Sequence, residues 1–173
     1  MTDWNTIVTR DGPTVWKVLW RLLDERADVE ECFQETFLAA VEVSRRETVT
    51  CWPALLSRLA TTKAIDRLRL RYRARRLRSE AGDASRQASH SRNPAATIEN
   101  PVELAIAAEL SERLREALTE LPEKQAELFV LHALNGWSHR ELGERMRMNE
   151  NAVRTALHRA RARLRELLDV PDS

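Results

Sequence analysis

Residues 138–165 read SHRELGERMRMNENAVRTALHRARARLR, and their spacing predicts two helices joined by a tight turn. Ser138 followed by Glu141 is a capping box that opens the first helix. Leu142 and Met146 give that helix an apolar edge, the short break Arg147-Met148-Asn149 follows, and Asn149 is placed to cap a second helix running through Leu164. This is a helix-turn-helix. Val153, Leu157 and Leu164 set the inner stripe of the second helix, which turns Asn151, Arg154, Thr155, His158 and Arg159 outward. Those side chains are of the kinds that reach base edges and phosphates. The stretch holds eight Arg against three Glu, an excess that suits a phosphate-facing surface. Arginine-rich helix surfaces can also be merely solvated, but a helical pair packed only for structure would not need the excess.

Working outward, the 173 residues allow one domain or two small ones, each with a modest core. Four Gly and one Tyr, with Ala, Leu, Arg and Glu dominant, predict an all-α protein. Net charge is only +1, yet 32% of residues are charged, so the distribution along the chain matters more than the sum. Lysine occurs only at 17, 63 and 124, and arginine is the better bidentate partner for phosphate and guanine. Cys32 and Cys51 are too few for a disulfide framework, and the histidines at 90, 132, 139 and 158 lie at no ligand spacing to either. No metal, cofactor or catalytic residue is expected, because no nucleophile-base pair, metal cluster or Gly-rich phosphate loop is present. Without a signal peptide or membrane-length apolar run, the expectation is a cytoplasmic protein with no membrane insertion.

Upstream, Gly12-Pro13 reads as a break, after which Val15, Val18, Leu19, Leu22 and Leu23 line one side of a short helix, with Trp16 and Trp20 as core aromatics beside it. From Asp28 to Val43 a second helix puts Val29, Cys32, Phe33, Thr36, Phe37 and Ala40 on one side. Asp28, Glu31, Gln34, Glu35, Leu38 and Glu42 fall on the other. Leu38, apolar in an acidic face, reads as a tolerated exposure or as the anchor of a protein interface. Residues 20–47 carry eight acids against four Arg, so this face suits a basic protein surface and not DNA. Residues 44–51 read as a loop before a helix that starts near Trp52-Pro53 and continues into a basic run with Arg at 67, 69, 71, 73, 75, 76 and 78. Arginines at every second position wrap a helix, so this run is expected to bury no face deeply; phosphate contact and plain solvation are the two accounts of it.

Residues 79–101, SEAGDASRQASHSRNPAATIENP, lack hydrophobic periodicity and predict a flexible linker between domains at 10–78 and 102–169. The second domain opens with a helix from Val102 to about Glu120, with Leu104, Ala107, Ala108, Leu114, Ala117 and Leu118 spaced to bury one face. Leu121-Pro122 starts another, with Leu128, Leu131 and Leu134 inward and Gly136 at its C-cap.

In this order the stretches resemble the extracytoplasmic-function group of sigma-70 family transcription factors. DVEECFQETFLAA resembles the family's helix that docks on core RNA polymerase, and WPALLSRLATTKAIDRLRLRYR the regions that open and read the minus-ten element. LPEKQAELFVLHALNGWSHRELGERM followed by NAVRTALHRARARL resembles region 4, which reads the minus-35 element; the resemblance covers nearly all of residues 13–168. It implies core polymerase binding by Asp28, Glu31, Gln34, Glu35 and Leu38, which would account for the exposed leucine. It implies minus-ten contact by Thr62, Lys63, Asp66, Arg67, Arg69 and Arg71, with residues 44–51 as the loop that captures a flipped base. Asn151, Arg154, Thr155, His158 and Arg159 take the groove-facing positions of region 4. The implied partners are core RNA polymerase, promoter DNA and, as for many relatives, an anti-sigma factor, with a monomer when free. The family usually has Asn where Thr62 stands and commonly has Gly where Arg147 stands, the latter implying a different turn or a strained φ. A stand-alone helix-turn-helix regulator would explain 138–165 but not the acidic face, and would need a dimer. A purely protein-binding helical adaptor would show no salt-dependent DNA affinity.

Overall fold

The computed structural model describes residues 2–81 and 101–168. Among them the chain forms seven α-helices and no strand: α1 Trp4–Leu22, α2 Arg26–Arg46, α3 Trp52–Glu80, α4 Pro101–Thr119, α5 Glu123–Ala133, α6 His139–Met146 and α7 Glu150–Leu168. The protein is all-α. The described residues divide into two compact units, 2–67 and 68–81 with 101–168, so the division falls inside α3. Most of the expected linker, 82–100, lies outside the described residues, and α3 extends two residues into its predicted start.

In the first unit α1 runs straight through Gly12-Pro13, where the sequence predicts a break. Proline inside a helix costs about 3 kcal/mol. Burial offsets that cost, since Ile7, Asp11, Val15, Val18, Leu19 and Leu22 all face the core at helical spacing. Asp3 caps the first turn, accepting from the Thr6 amide at 3.2 Å. Gly12 lies under Phe33, whose ring joins Trp16 at 5.5 Å and Phe37 at 5.0 Å. The tryptophans are packing residues, as their spacing predicts. Val29, Cys32, Thr36 and Ala40 of α2 and Leu56, Ala60, Ala64 and Ile65 of α3 complete this core. Cys32 donates to the Lys63 carbonyl at 3.7 Å, and burial pushes its thiol up to about 11, an inert packing thiol.

The second unit corrects two expectations. The basic run of α3 does bury a face: Leu68 is inaccessible and Tyr72 nearly so, with the Tyr72 hydroxyl donating to the Glu112 carbonyl at 3.3 Å. Tyrosine and leucine four apart suffice for a narrow stripe, and the flanking arginines find acidic partners instead of requiring solvent. Conversely α4 does not bury its whole predicted face. Ala117 and Leu118 are buried and Leu104 and Leu114 half-buried, whereas Ala107, Ala108, Val102, Ile106 and Leu110 are exposed. α7 also packs on α4, near Arg113, which donates to the Leu168 carbonyl at 2.7 Å.

Candidate nucleic-acid interface and acidic face

The helix-turn-helix is built from its termini inward. Ser138 accepts from the Glu141 amide at 3.1 Å, while the Glu141 carboxylate accepts from the Ser138 amide at 2.8 Å. That bond to the backbone N–H holds the Glu141 carboxyl below its ordinary range. Asn149 caps α7 by accepting from the Ala152 amide at 2.7 Å. Between the caps, Arg147 adopts φ 52° and ψ 46°, a left-handed conformation that residues other than glycine rarely adopt. Gly136 ends the α5 turn at φ 75°. Leu128, Leu131, Leu142, Met146, Val153 and Leu157 form one buried apolar cluster that fixes α6 against α5 and α7. Two contacts stiffen the corner before α6: His132 Nδ1 lies 2.7 Å from the Trp137 carbonyl, and the Arg145 guanidinium sits 5.4 Å over the Trp137 ring.

With that inner face buried, Asn151, Arg154, Thr155, His158 and Arg159 are all exposed on the other side of α7. The structure brings these five predicted residues together on one helix surface. Its geometry can enter a major groove and reach base edges.

The acidic face of α2 is also assembled. Gln34 and Leu38 are exposed, Leu38 at 66%. Asp28, Glu31 and Glu35, however, face α3 closely enough to share one cation. The Arg67 guanidinium lies 3.6 Å from Asp28, 2.5 Å from Glu31 and 3.9 Å from Glu35, and Lys63 stands 3.8 Å from Glu35. Arg67 thereby holds the Glu31 carboxyl below its ordinary range, chiefly by hydrogen bond and then by charge. Residues that the resemblance assigns to two different partners are thus paired with each other.

The remaining minus-ten candidates are engaged as well. Thr62 donates to the Arg58 carbonyl at 3.1 Å. Within the second unit Arg69 donates to the Leu121 carbonyl at 3.1 Å, and Arg71 lies 3.4 Å from Glu112 and 5.6 Å over the Tyr72 ring. Arg75 pairs with Glu112 at 2.9 Å, and Arg76 pairs with Glu120. Asp66 is exposed.

Residues 44–46 close α2 and 47–51 form the loop to α3. Residues 44–49, together with Thr2 and Trp52, line an open pocket of about 440 Å³. Sequence spacing marks the loop but misses Thr2, because nothing local connects residue 2 to residue 52. Among the described residues no cluster of three or more His, Cys, Asp or Glu could hold a metal ion, and no helix is long and apolar enough to cross a membrane.

Residues 111–164 match the sigma-70 region 4 family. The extracytoplasmic-function RNA polymerase sigma factor SigE of Mycolicibacterium smegmatis is 28% identical over 97% of this chain and 62% of its own length. SigW of Bacillus subtilis, of the same group, is 26% identical over 89% of this chain and 82% of its own length. The chain therefore spans less than two thirds of the first of these relatives. The fold resembles that of the sigma factor RpoE from Bartonella quintana, solved in complex with the anti-sigma factor NepR, with a TM-score of 0.56 and 18% identity over 99% of this chain and 100% of that one. The capped helix-turn-helix lies within the stretch that matches region 4, and the chain is similar along nearly its whole length to the extracytoplasmic-function sigma factors SigE and SigW.

Proposed function

We propose that the chain is a dissociable promoter-specificity subunit of bacterial RNA polymerase, acting in the cytoplasm with no chemistry of its own. The observation that carries this reading is α7, whose buried stripe leaves Asn151, Arg154, Thr155, His158 and Arg159 exposed together. These five read duplex minus-35 DNA through the major groove. Asp28, Glu31, Gln34, Glu35 and Leu38 dock on core polymerase, with Leu38 as the apolar anchor. Thr62, Lys63, Asp66, Arg67, Arg69 and Arg71 serve the minus-ten strand once the duplex opens. The working modules are residues 10–78 and 102–169, tethered by 79–101.

The ion pairs of Arg67, Lys63 and Arg71 give this reading a kinetic consequence. Each must exchange a carboxylate for a phosphate before it can hold DNA, so the free monomer binds promoters weakly and core polymerase completes the site. An inhibitor of the anti-sigma class is a further partner, competing for the acidic face.

Run-off transcription from a genomic DNA pool, with purified protein and core polymerase and sequenced transcript starts, tests the reading. Protein-dependent starts sharing two spaced upstream motifs are expected. DNA binding by a tight dimer with no such starts would replace it with a stand-alone helix-turn-helix regulator.

A further inference from the structure

The pocket at the end of α2 has one wall outside the motifs that carry the family resemblance. The first of those motifs begins at Asp28, yet Thr2 lines the pocket beside Arg45, Arg46, Glu47, Thr48 and Trp52. Three features describe what the space would take. Its volume, about 440 Å³, falls within the range of small-ligand sites. Two exposed guanidiniums stand beside an indole wall, the combination by which single-stranded nucleic acid is held, cations tracking phosphate and an aromatic face meeting the base. The Ser44 hydroxyl is taken by the Val41 carbonyl at 2.8 Å, while Thr2 and Thr48 each bring a hydroxyl able to donate or accept at a base edge. A free inorganic anion would use the arginines and leave the indole without a role.

The placement of Thr2 and of the indole is itself built. Asp3 caps α1 through the Thr6 amide and accepts from the Thr6 hydroxyl at 2.5 Å, which fixes the turn that Thr2 leads into. Trp4, the first residue of α1, meets Trp52 edge to face, with ring centroids 5.1 Å apart and planes at 76°. That geometry holds the Trp52 ring in one orientation at the pocket wall.

We propose that the start of α1 is part of the minus-ten strand site: Thr2 reads the edge of one unpaired nucleotide in this pocket, and Trp4 is a positioning residue that holds Trp52 for stacking on its base. The proposal rests on the promoter-recognition reading above. It assigns sequence preference to a residue outside all three stretches on which the family resemblance was drawn.

The test is the pooled run-off assay with the full chain and core polymerase, comparing wild type with Thr2→Val, Trp4→Leu and Trp4→Phe. Thr2→Val is expected to keep transcription but alter base preference at a single minus-ten position, leaving the minus-35 motif and polymerase affinity unchanged. Trp4→Leu is expected to lower transcript yield roughly tenfold at unchanged polymerase affinity, with Trp4→Phe restoring most of it. Wild-type motif and yield in both Thr2→Val and Trp4→Leu would overturn the proposal alone, as would a loss that simply follows lost polymerase affinity. Because Thr2 is exposed, its substitution remains informative even if Trp4→Leu proves unstable. No protein-dependent starts with wild type would overturn the promoter reading and the proposal with it.

Discussion

A methyl group added at Gly143 would lie 2.9 Å from the Met148 carbonyl oxygen, backbone that cannot swing aside. The turn between α6 and α7 closes that tightly because Met148 donates its amide to the Gly143 carbonyl at 2.9 Å. Gly143→Ala is therefore expected to destabilise the full chain by about 1–3 kcal/mol, read as a fall in Tm. Arg147 presents the opposite case. An L-residue in the left-handed region costs about 1 kcal/mol, so Arg147→Gly should be neutral or raise stability by less than that, the gain being trimmed by the freer unfolded chain. A clear fall in Tm would mean that the Arg147 side chain contributes contacts exceeding its backbone strain. On the exposed face of α7, Arg159→Ala is expected to lose about 1–3 kcal/mol of minus-35 discrimination if the guanidinium reads a base. Unchanged motif preference and salt slope would remove Arg159 from the contact set. The strain at Arg147 is legible in the sequence, since the turn lacks its usual glycine. The requirement at Gly143 is not, because in a linear pattern a mid-helix glycine registers only as a poor helix former.

Elements were legible where their signal is local and hidden where a distant partner decides. Ser138 with Glu141 and Asn149 before α7 announce their caps, and both caps form as spaced. The uninterrupted α1 was not legible, because Pro13 is a local breaker and its compensation is burial of residues as far apart as Ile7 and Leu22. Likewise Arg67 looks like one of seven similar arginines, and only the fold reveals that α3 presents it to three carboxylates of α2. That cluster ties α2 to α3 and yields a pH prediction. Arg67 depresses the folded-state pKa of Glu31. The resulting stabilisation is fully present above the ordinary carboxylate range and is lost as pH falls through the depressed folded value. Arg67→Met should lower stability near neutrality by roughly 1–2 kcal/mol, since Asp28, mostly buried, loses its counter-charge. The gap in Tm between wild type and Arg67→Met should then narrow steadily on acidification. A gap independent of pH would assign the effect to lost packing of the arginine stem.

On the scale of the whole molecule, a net charge of +1 conceals a chain in which many cations already have carboxylates beside them. Lys63 and Arg67 face the α2 acids, and Arg71 and Arg75 share Glu112. On α7, by contrast, Arg154 and Arg159 are exposed on a helix surface whose acids cluster at its two ends, Glu150 and Glu166. Non-specific DNA binding by the free chain should accordingly be weak and dominated by the carboxy-terminal helix. The salt dependence of binding measures how many cations meet phosphate, because each neutralised phosphate adds about 0.9 to the slope of log K against log salt. Glu112→Gln removes the charge beside Arg71 and Arg75 while preserving the shape of the side chain. The full-length variant is expected to bind a non-specific duplex more tightly than wild type, with a slope steeper by about 1 to 2. The Tyr72 hydroxyl bonds the Glu112 backbone carbonyl, so that contact survives the substitution and the packing of α3 on α4 is retained. If the slope stays at its wild-type value while the fold is intact, Arg71 and Arg75 do not reach phosphate in the free chain, and their pairing with Glu112 is purely structural.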